Sequence, residues 1–129
     1  MLVVDASLAF AECVSGAAFE SYEDELVAPP LLWAETRSAL HEAAYRGEVP
    51  LAVATEANVR LARVPVKARA PRDVGELAWR IADDLGWAKT YDAEYLALAG
   101  ILSCRLVTLD ARLRKGADRL GYVVSPAEL

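Results

Sequence analysis

The segment Thr-Tyr-Asp-Ala-Glu-Tyr-Leu-Ala-Leu-Ala-Gly-Ile-Leu, from Thr90 to Leu102, restricts the possible folds more than any other. Apolar or small residues recur at helical spacing at Ala93, Leu96, Ala97, Gly100 and Ile101, and again at Tyr95, Leu98 and Leu102. A helix apolar on nearly every side has no face to give to water, so it is expected at the centre of the protein. Asp92 stands in its first turn, a carboxylate carried to the edge of the interior by an otherwise apolar element. The other elements determine what Asp92 faces.

Leu2-Val3-Val4 is a short apolar run of the kind that forms a buried strand; it ends at Asp5, and Ala6 to Val14 follows as a helix. Leu26-Val27-Ala28 is a second strand after the acidic stretch Glu23-Asp24-Glu25. Pro29-Pro30 breaks it and opens a long helix that Gly47 stops, and Pro50 starts another reaching about Arg63. Val64-Pro65-Val66 is extended. Asp73 with Glu76 resembles a capping box ahead of an amphipathic stripe, Val74, Leu77, Ala78, Ile81, Ala82 and Leu85, which Gly86 closes. After the central helix, Arg105 to Leu109 is a strand ending at Asp110, followed by a short basic helix, Ala111 to Ala117, and a last strand, Gly121 to Val124. Strands alternating with helices predict an α/β fold, a central parallel sheet of about four to five short strands flanked by helices on both faces. With 129 residues, 55% of them hydrophobic, residues 1–129 are expected to form a single domain around one core.

The start of the chain meets a charge at Asp5 and lacks the basic and long apolar regions of a signal peptide, and no later stretch has the length of a membrane span. Cys13 and Cys104 lie far apart within apolar patterns, as reduced thiols of a cytoplasmic protein do. The formal net charge of −5 argues by itself against a nucleic-acid partner. That argument lapses if four of the acids are gathered around a cation, since the remaining charge is then close to neutral.

Asp5 and Asp110 have the same setting: each ends an apolar strand and begins a helix, as Asp-Ala-Ser-Leu and Asp-Ala-Arg-Leu. In an open parallel sheet the carboxyl ends of the strands share the edge where ligands bind, so the two aspartates are expected to be neighbours. Asp92, and Glu35 at the margin of its helix's apolar face beside Leu32, Ala39 and Ala43, reach that edge if their helices also begin there. Each acid alone has an ordinary explanation, the aspartates as N-caps and the glutamate as a solvated helical residue. Together they do not, because two like charges 4 Å apart repel by about 4 kcal/mol at an effective dielectric near 20. A hard divalent cation, Mg²⁺ or Mn²⁺, suits an all-oxygen ligand set. His41, the only histidine, falls on the polar side of its helix; zinc ligands, a serine triad and a glycine-rich phosphate loop are all missing.

Val3-Val4-Asp5-Ala6-Ser7, Ala34-Glu35, the Tyr91-Asp92-Ala93-Glu94-Tyr95-Leu96-Ala97-Leu98-Ala99 stretch and Leu106-Val107-Thr108-Leu109-Asp110 resemble the four acidic motifs of PIN-domain ribonucleases, most closely the VapC toxins of toxin–antitoxin pairs. The resemblance runs from Leu2 to about Pro126. It implies a PIN-like three-layer fold, with Asp5, Glu35, Asp92 and Asp110 as catalytic, metal-binding acids and Ser7 and Thr108 in support. It further implies an endoribonuclease in which Mg²⁺ or Mn²⁺ activates water against an RNA phosphodiester, a homodimer, and silencing by a small VapB-type antitoxin. Lys89, Arg112, Arg114 and Lys115, close in sequence to Asp92 or Asp110, are the expected contacts for RNA phosphates. A catalytically inactive PIN-like scaffold and a metal-dependent phosphatase are the rival readings; the second expects a paired-acid motif that Asp5-Ala6-Ser7 lacks. Trp33, Tyr45 and Trp87 are expected in the core.

Overall fold

The computed structural model describes residues 1–129. Eleven principal elements run in the order β1 (Leu2–Val4), α1 (Ala6–Ser15), β2 (Leu26–Ala28), α2 (Leu31–Tyr45), α3 (Leu51–Leu61), β3 (Val66–Ala68), α4 (Val74–Leu85), α5 (Tyr91–Leu102), β4 (Arg105–Val107), α6 (Ala111–Gly116) and β5 (Val123–Val124). Two short 3₁₀ turns, Asp118–Leu120 and Pro126–Glu128, flank β5. The five strands form one sheet in the order β3-β2-β1-β4-β5, with every neighbouring pair parallel. In register, Leu2 lies opposite Leu26 on one side and Arg105 on the other.

The sequence explains this order. β1 and β2 are buried throughout, as short all-apolar strands covered on both faces must be. β1 sits at the centre, and the chain adds strands outward first to one side and then to the other, so the topological switch falls between β1 and β4. Asp5 and Asp110 follow those two strands, at the crevice where such sheets bind ligands.

Helix α5 is central, as its apolar circumference demands: Ala93 and Tyr95 to Ala99 are buried, and the helix packs on α4, β1 and β4. It ends without glycine, Ser103 taking a left-handed conformation at φ 52° while its N–H caps the carbonyls of Ala99 and Gly100. A second small core of Cys13, Leu40, Ala57 and Leu61 joins α1, α2 and α3. No helix is long and apolar enough to cross a membrane.

The structure departs from the sequence-based expectations in three places. Val66–Ala68 is a full edge strand rather than an extended tail; only Val66 is buried, so the segment carries no apolar run to announce it. The capping box at Asp73 does not form: Asp73 has φ −88° and ψ 0°, outside the extended conformation that turns a cap side chain onto the first helical amides, and the Val74 N–H donates to the Pro71 carbonyl instead. Tyr45 is 87% exposed at the last turn of α2, whereas Trp33 and Trp87 are partly buried and pack against the core as expected.

Candidate active site

Asp5 is the N-cap of α1, with extended backbone (φ −104°, ψ 176°) that lets Oδ1 accept the Leu8 amide at 3.1 Å. Its carboxylate has two further donors, the Ser7 hydroxyl at 2.7 Å on Oδ1 and the Thr108 hydroxyl on Oδ2. Each hydroxyl has one proton and gives it to Asp5, which leaves its oxygen free to accept: Ser7 Oγ takes the Leu109 amide and Thr108 Oγ1 the Asp110 amide, both at 3.0 Å. Two polar residues therefore tie the loop after β1 to the loop after β4. Asp110 caps α6 in the same manner, its Oδ1 accepting from the Arg112 and Leu113 amides at 2.9 and 3.3 Å. Both aspartates are caps and neighbours at one sheet edge, so the capping role and the clustering role coexist.

Asp92 is different. It is the second residue of α5, after an N-cap position occupied by Thr90, and its carboxylate accepts no hydrogen bond from the protein. The helix amino terminus favours a negative charge there. Glu35, half-buried on the second turn of α2, reaches across to α5, where the Tyr95 hydroxyl donates to its Oε1 at 2.7 Å. Tyr95 is wholly buried, and a buried tyrosine needs a partner for its hydroxyl. The apolar pattern of the sequence placed Tyr95 only among the core positions; its spacing of three from Asp92, on the same side of the helix, was the available signal.

The electrostatics bind these groups into one cluster. The Asp5 carboxyl lies above its ordinary value because burial penalises its charge, against the opposing hydrogen bonds of Thr108, Ser7 and Leu8, with Asp92 adding to the rise. Burial also raises Glu35, partly offset by the Tyr95 hydrogen bond, and Asp92 and Asp5 push it further. Asp92 is raised by desolvation and then by Asp110, with Arg112 pulling the other way. The Tyr95 hydroxyl is pushed far up by burial and by Glu35, which keeps it protonated as a donor.

Glu35, Asp92 and Asp110 line a cleft of about 540 Å³ together with Lys89, Tyr91 and Arg112. Asp5, only 4% exposed, is not part of its wall. The four acids thus divide into three in the cleft and one buried beside it. Among the expected phosphate contacts, Lys89 and Arg112 line the cleft, the Arg112 side chain 95% exposed with Nε 3.9 Å from Asp110. Arg114 is turned elsewhere: Glu128 grips it with two contacts of 2.6 Å and Asp118 adds a third at 3.4 Å. Lys115 is exposed and outside the cleft lining.

No three His, Cys, Asp or Glu side chains stand together as a ready-made metal site. The donor set nevertheless suits Mg²⁺ or Mn²⁺. All the candidate ligands are carboxylate oxygens, Asp92 has no protein partner on either oxygen, and no hydrogen bond falls on Glu35 Oε2 or Asp110 Oδ2. Mg²⁺ commonly takes only one or two carboxylates directly and fills its remaining positions with water, so it does not need a tight protein cage.

A PIN domain family model matches residues 3–118. Ribonuclease VapC9 of Mycobacterium tuberculosis and VapC ribonuclease Mb0985 of Mycobacterium bovis are each 36% identical to the chain over 115 residues, 88% of this chain and 88% of theirs. Among solved structures, PAE2754 from Pyrobaculum aerophilum superposes with a TM-score of 0.77 at 24% identity, covering 98% of this chain and 90% of its own. A toxin–antitoxin complex from Klebsiella pneumoniae gives 0.65 at 17% identity, with 98% of both chains covered, a likeness of fold. The parallel sheet, the acids at its carboxyl edge and the match across almost the whole chain lead to one conclusion: the protein belongs to the PIN domain family, in its VapC branch.

Proposed function

We propose that the protein is a Mg²⁺- or Mn²⁺-dependent endoribonuclease, the toxin of a VapBC-type toxin–antitoxin pair, with Asp5, Glu35, Asp92 and Asp110 as its catalytic acids. The observation that carries this reading is Asp92, a carboxylate without a protein partner, in one cleft with Glu35 and Asp110. The names of the mycobacterial relatives support the ribonuclease activity, and the likeness to a Klebsiella toxin–antitoxin complex supports an antitoxin partner. A cytoplasmic homodimer formed by one PIN domain over residues 1–129 completes the proposal.

When bound, the cation lowers the pKa of a coordinated water and neutralises charge developing on the phosphate. The protein's own groups do the rest. Asp92, Glu35 and Asp110 would hold the cation, while Ser7 and Thr108 orient the Asp5 carboxyl beside them. Tyr95 fixes Glu35 and, by staying protonated, leaves Glu35 as the acceptor. Lys89 and Arg112 attract the RNA backbone into an otherwise acidic cleft. Water attacks phosphorus and releases a proton to solvent, the bond to the sugar oxygen opposite it breaks, and that oxygen leaves with a proton from solvent.

The test is incubation of the purified protein with single-stranded RNA. Cleavage is expected with Mg²⁺ or Mn²⁺, and none after chelation until excess divalent ion is restored. Cutting that continues under chelation contradicts the proposal.

A further inference from the structure

A second hollow, of about 600 Å³, adjoins the acidic cleft, and the two share Glu35, Lys89 and Tyr91. The acidic cleft reaches Asp110, and the second hollow lies against α2. Tyr91 stands at the seam with 58% of its surface exposed, and its hydroxyl makes no hydrogen bond within the protein. Leu31, Ala34 and Ala39 give the second hollow apolar walls, and Ser38 and Glu42 give it a polar edge. Arg46 holds Glu42 through Oε1 at 2.5 Å, and no hydrogen bond or ion pair falls on Oε2.

We infer that this second hollow is a nucleobase subsite, with Tyr91 as its stacking face and Glu42 as the group that reads the base edge. The inference rests on the nuclease reading above. A phosphate does not suit the hollow, because Glu35 and Glu42 both line it and its one lining cation, Lys89, lies at the seam. A base suits it well: stacking on an exposed aromatic ring is the common way in which proteins hold unpaired nucleotides, and apolar walls favour a flat ring system. Lys89 is then placed for the phosphate linking that base to the one being cut. A carboxylate only accepts hydrogen bonds, so Glu42 selects bases that present an amino group. Uracil offers a single N–H between two carbonyl oxygens, and those oxygens repel a carboxylate. Guanine, adenine and cytosine are therefore accepted and uracil is disfavoured.

The experiment uses short single-stranded RNAs identical except at one nucleotide beside the cut. Cleavage by the wild-type protein with Mn²⁺ is ranked by kcat/KM, and binding is followed by fluorescence anisotropy on Asp92→Asn protein. Uridine at the varied position is expected to give the lowest kcat/KM by roughly tenfold, and Glu42→Gln, whose amide also donates, to erase most of that difference. Tyr91→Ala, introduced beside Asp92→Asn, is expected to weaken binding roughly tenfold, and Tyr91→Phe to restore it. RNA that is cut with no base preference, a ranking unmoved by Glu42→Gln, or full affinity in the Tyr91→Ala protein overturns the subsite alone. A wild-type protein that neither binds nor cuts any RNA overturns the nuclease reading, and the subsite falls with it.

Discussion

Asp92→Asn is expected to reduce metal-dependent RNA cleavage by roughly 10³-fold while leaving the melting temperature unchanged or raised. The two halves of this expectation have separate causes. Asp92 accepts no hydrogen bond from the protein, so the amide breaks nothing in the fold. It also removes a charge that burial and Asp110 both oppose. Under the proposed function, the same change takes away the carboxylate with the freest oxygens and, with it, the charge that would attract a cation. Asp5→Asn is a useful contrast: Leu8, Ser7 and Thr108 all donate to Asp5, and an amide leaves one of those donors facing another donor. That variant is expected to lose stability as well as activity. Thermal melts recorded beside cleavage rates separate the two cases.

The second large effect is on stability. Leu98→Ala is expected to destabilise the protein by about 2–5 kcal/mol, lowering the melting temperature by roughly 10–20 °C. Leu98 has no exposed surface, and it sits on a helix enclosed by α4, β1 and β4. The cavity left by truncation is enclosed by parts of the fold that close-packed strands keep from collapsing inward. Trp79→Ala, on the outer face of α4 and 68% exposed, is the control that loses little. A small loss at Leu98 contradicts the placing of α5 at the centre.

The periodicity of the central helix and the apolar runs that end at Asp5 and Asp110 were enough to read a parallel sheet and its acidic edge from the residues. They were enough because burial on all sides leaves a compositional mark. β3 left no such mark, being an edge strand with Lys67 and Ala68 exposed. The capping role of Asp5 and Asp110 was visible, but as a rival to clustering, whereas a cap uses part of a carboxylate's capacity and leaves the rest. Arg114 sits four residues from Asp110 and has nothing in its sequence setting to separate it from Arg112; only the fold brings Glu128 across to hold it. The Tyr95–Glu35 bond, spanning 60 residues, likewise depends on how α2 and α5 meet.

The most direct measurement is thermal melting at about pH 5 and about pH 7.5, with and without Mn²⁺, for wild type and Asp92→Asn. Asp5, Glu35 and Asp92 have raised carboxyl pKa values in the fold, so the folded state holds more protons than the unfolded state between the ordinary and the raised values. Stability from these groups is fullest at acid pH and is lost as pH rises through that window. Glu128, lowered to about 2, has the opposite sign and loses its contribution only as pH falls from its ordinary value toward 2, below both measured pH values. Metal-free wild type is therefore predicted to melt lower at the higher pH, and Mn²⁺ to raise its melting temperature there, with a smaller rise at about pH 5 and in Asp92→Asn. A melting temperature indifferent to Mn²⁺ at both pH values, or a rise that survives Asp92→Asn in full, contradicts a cation held by these acids.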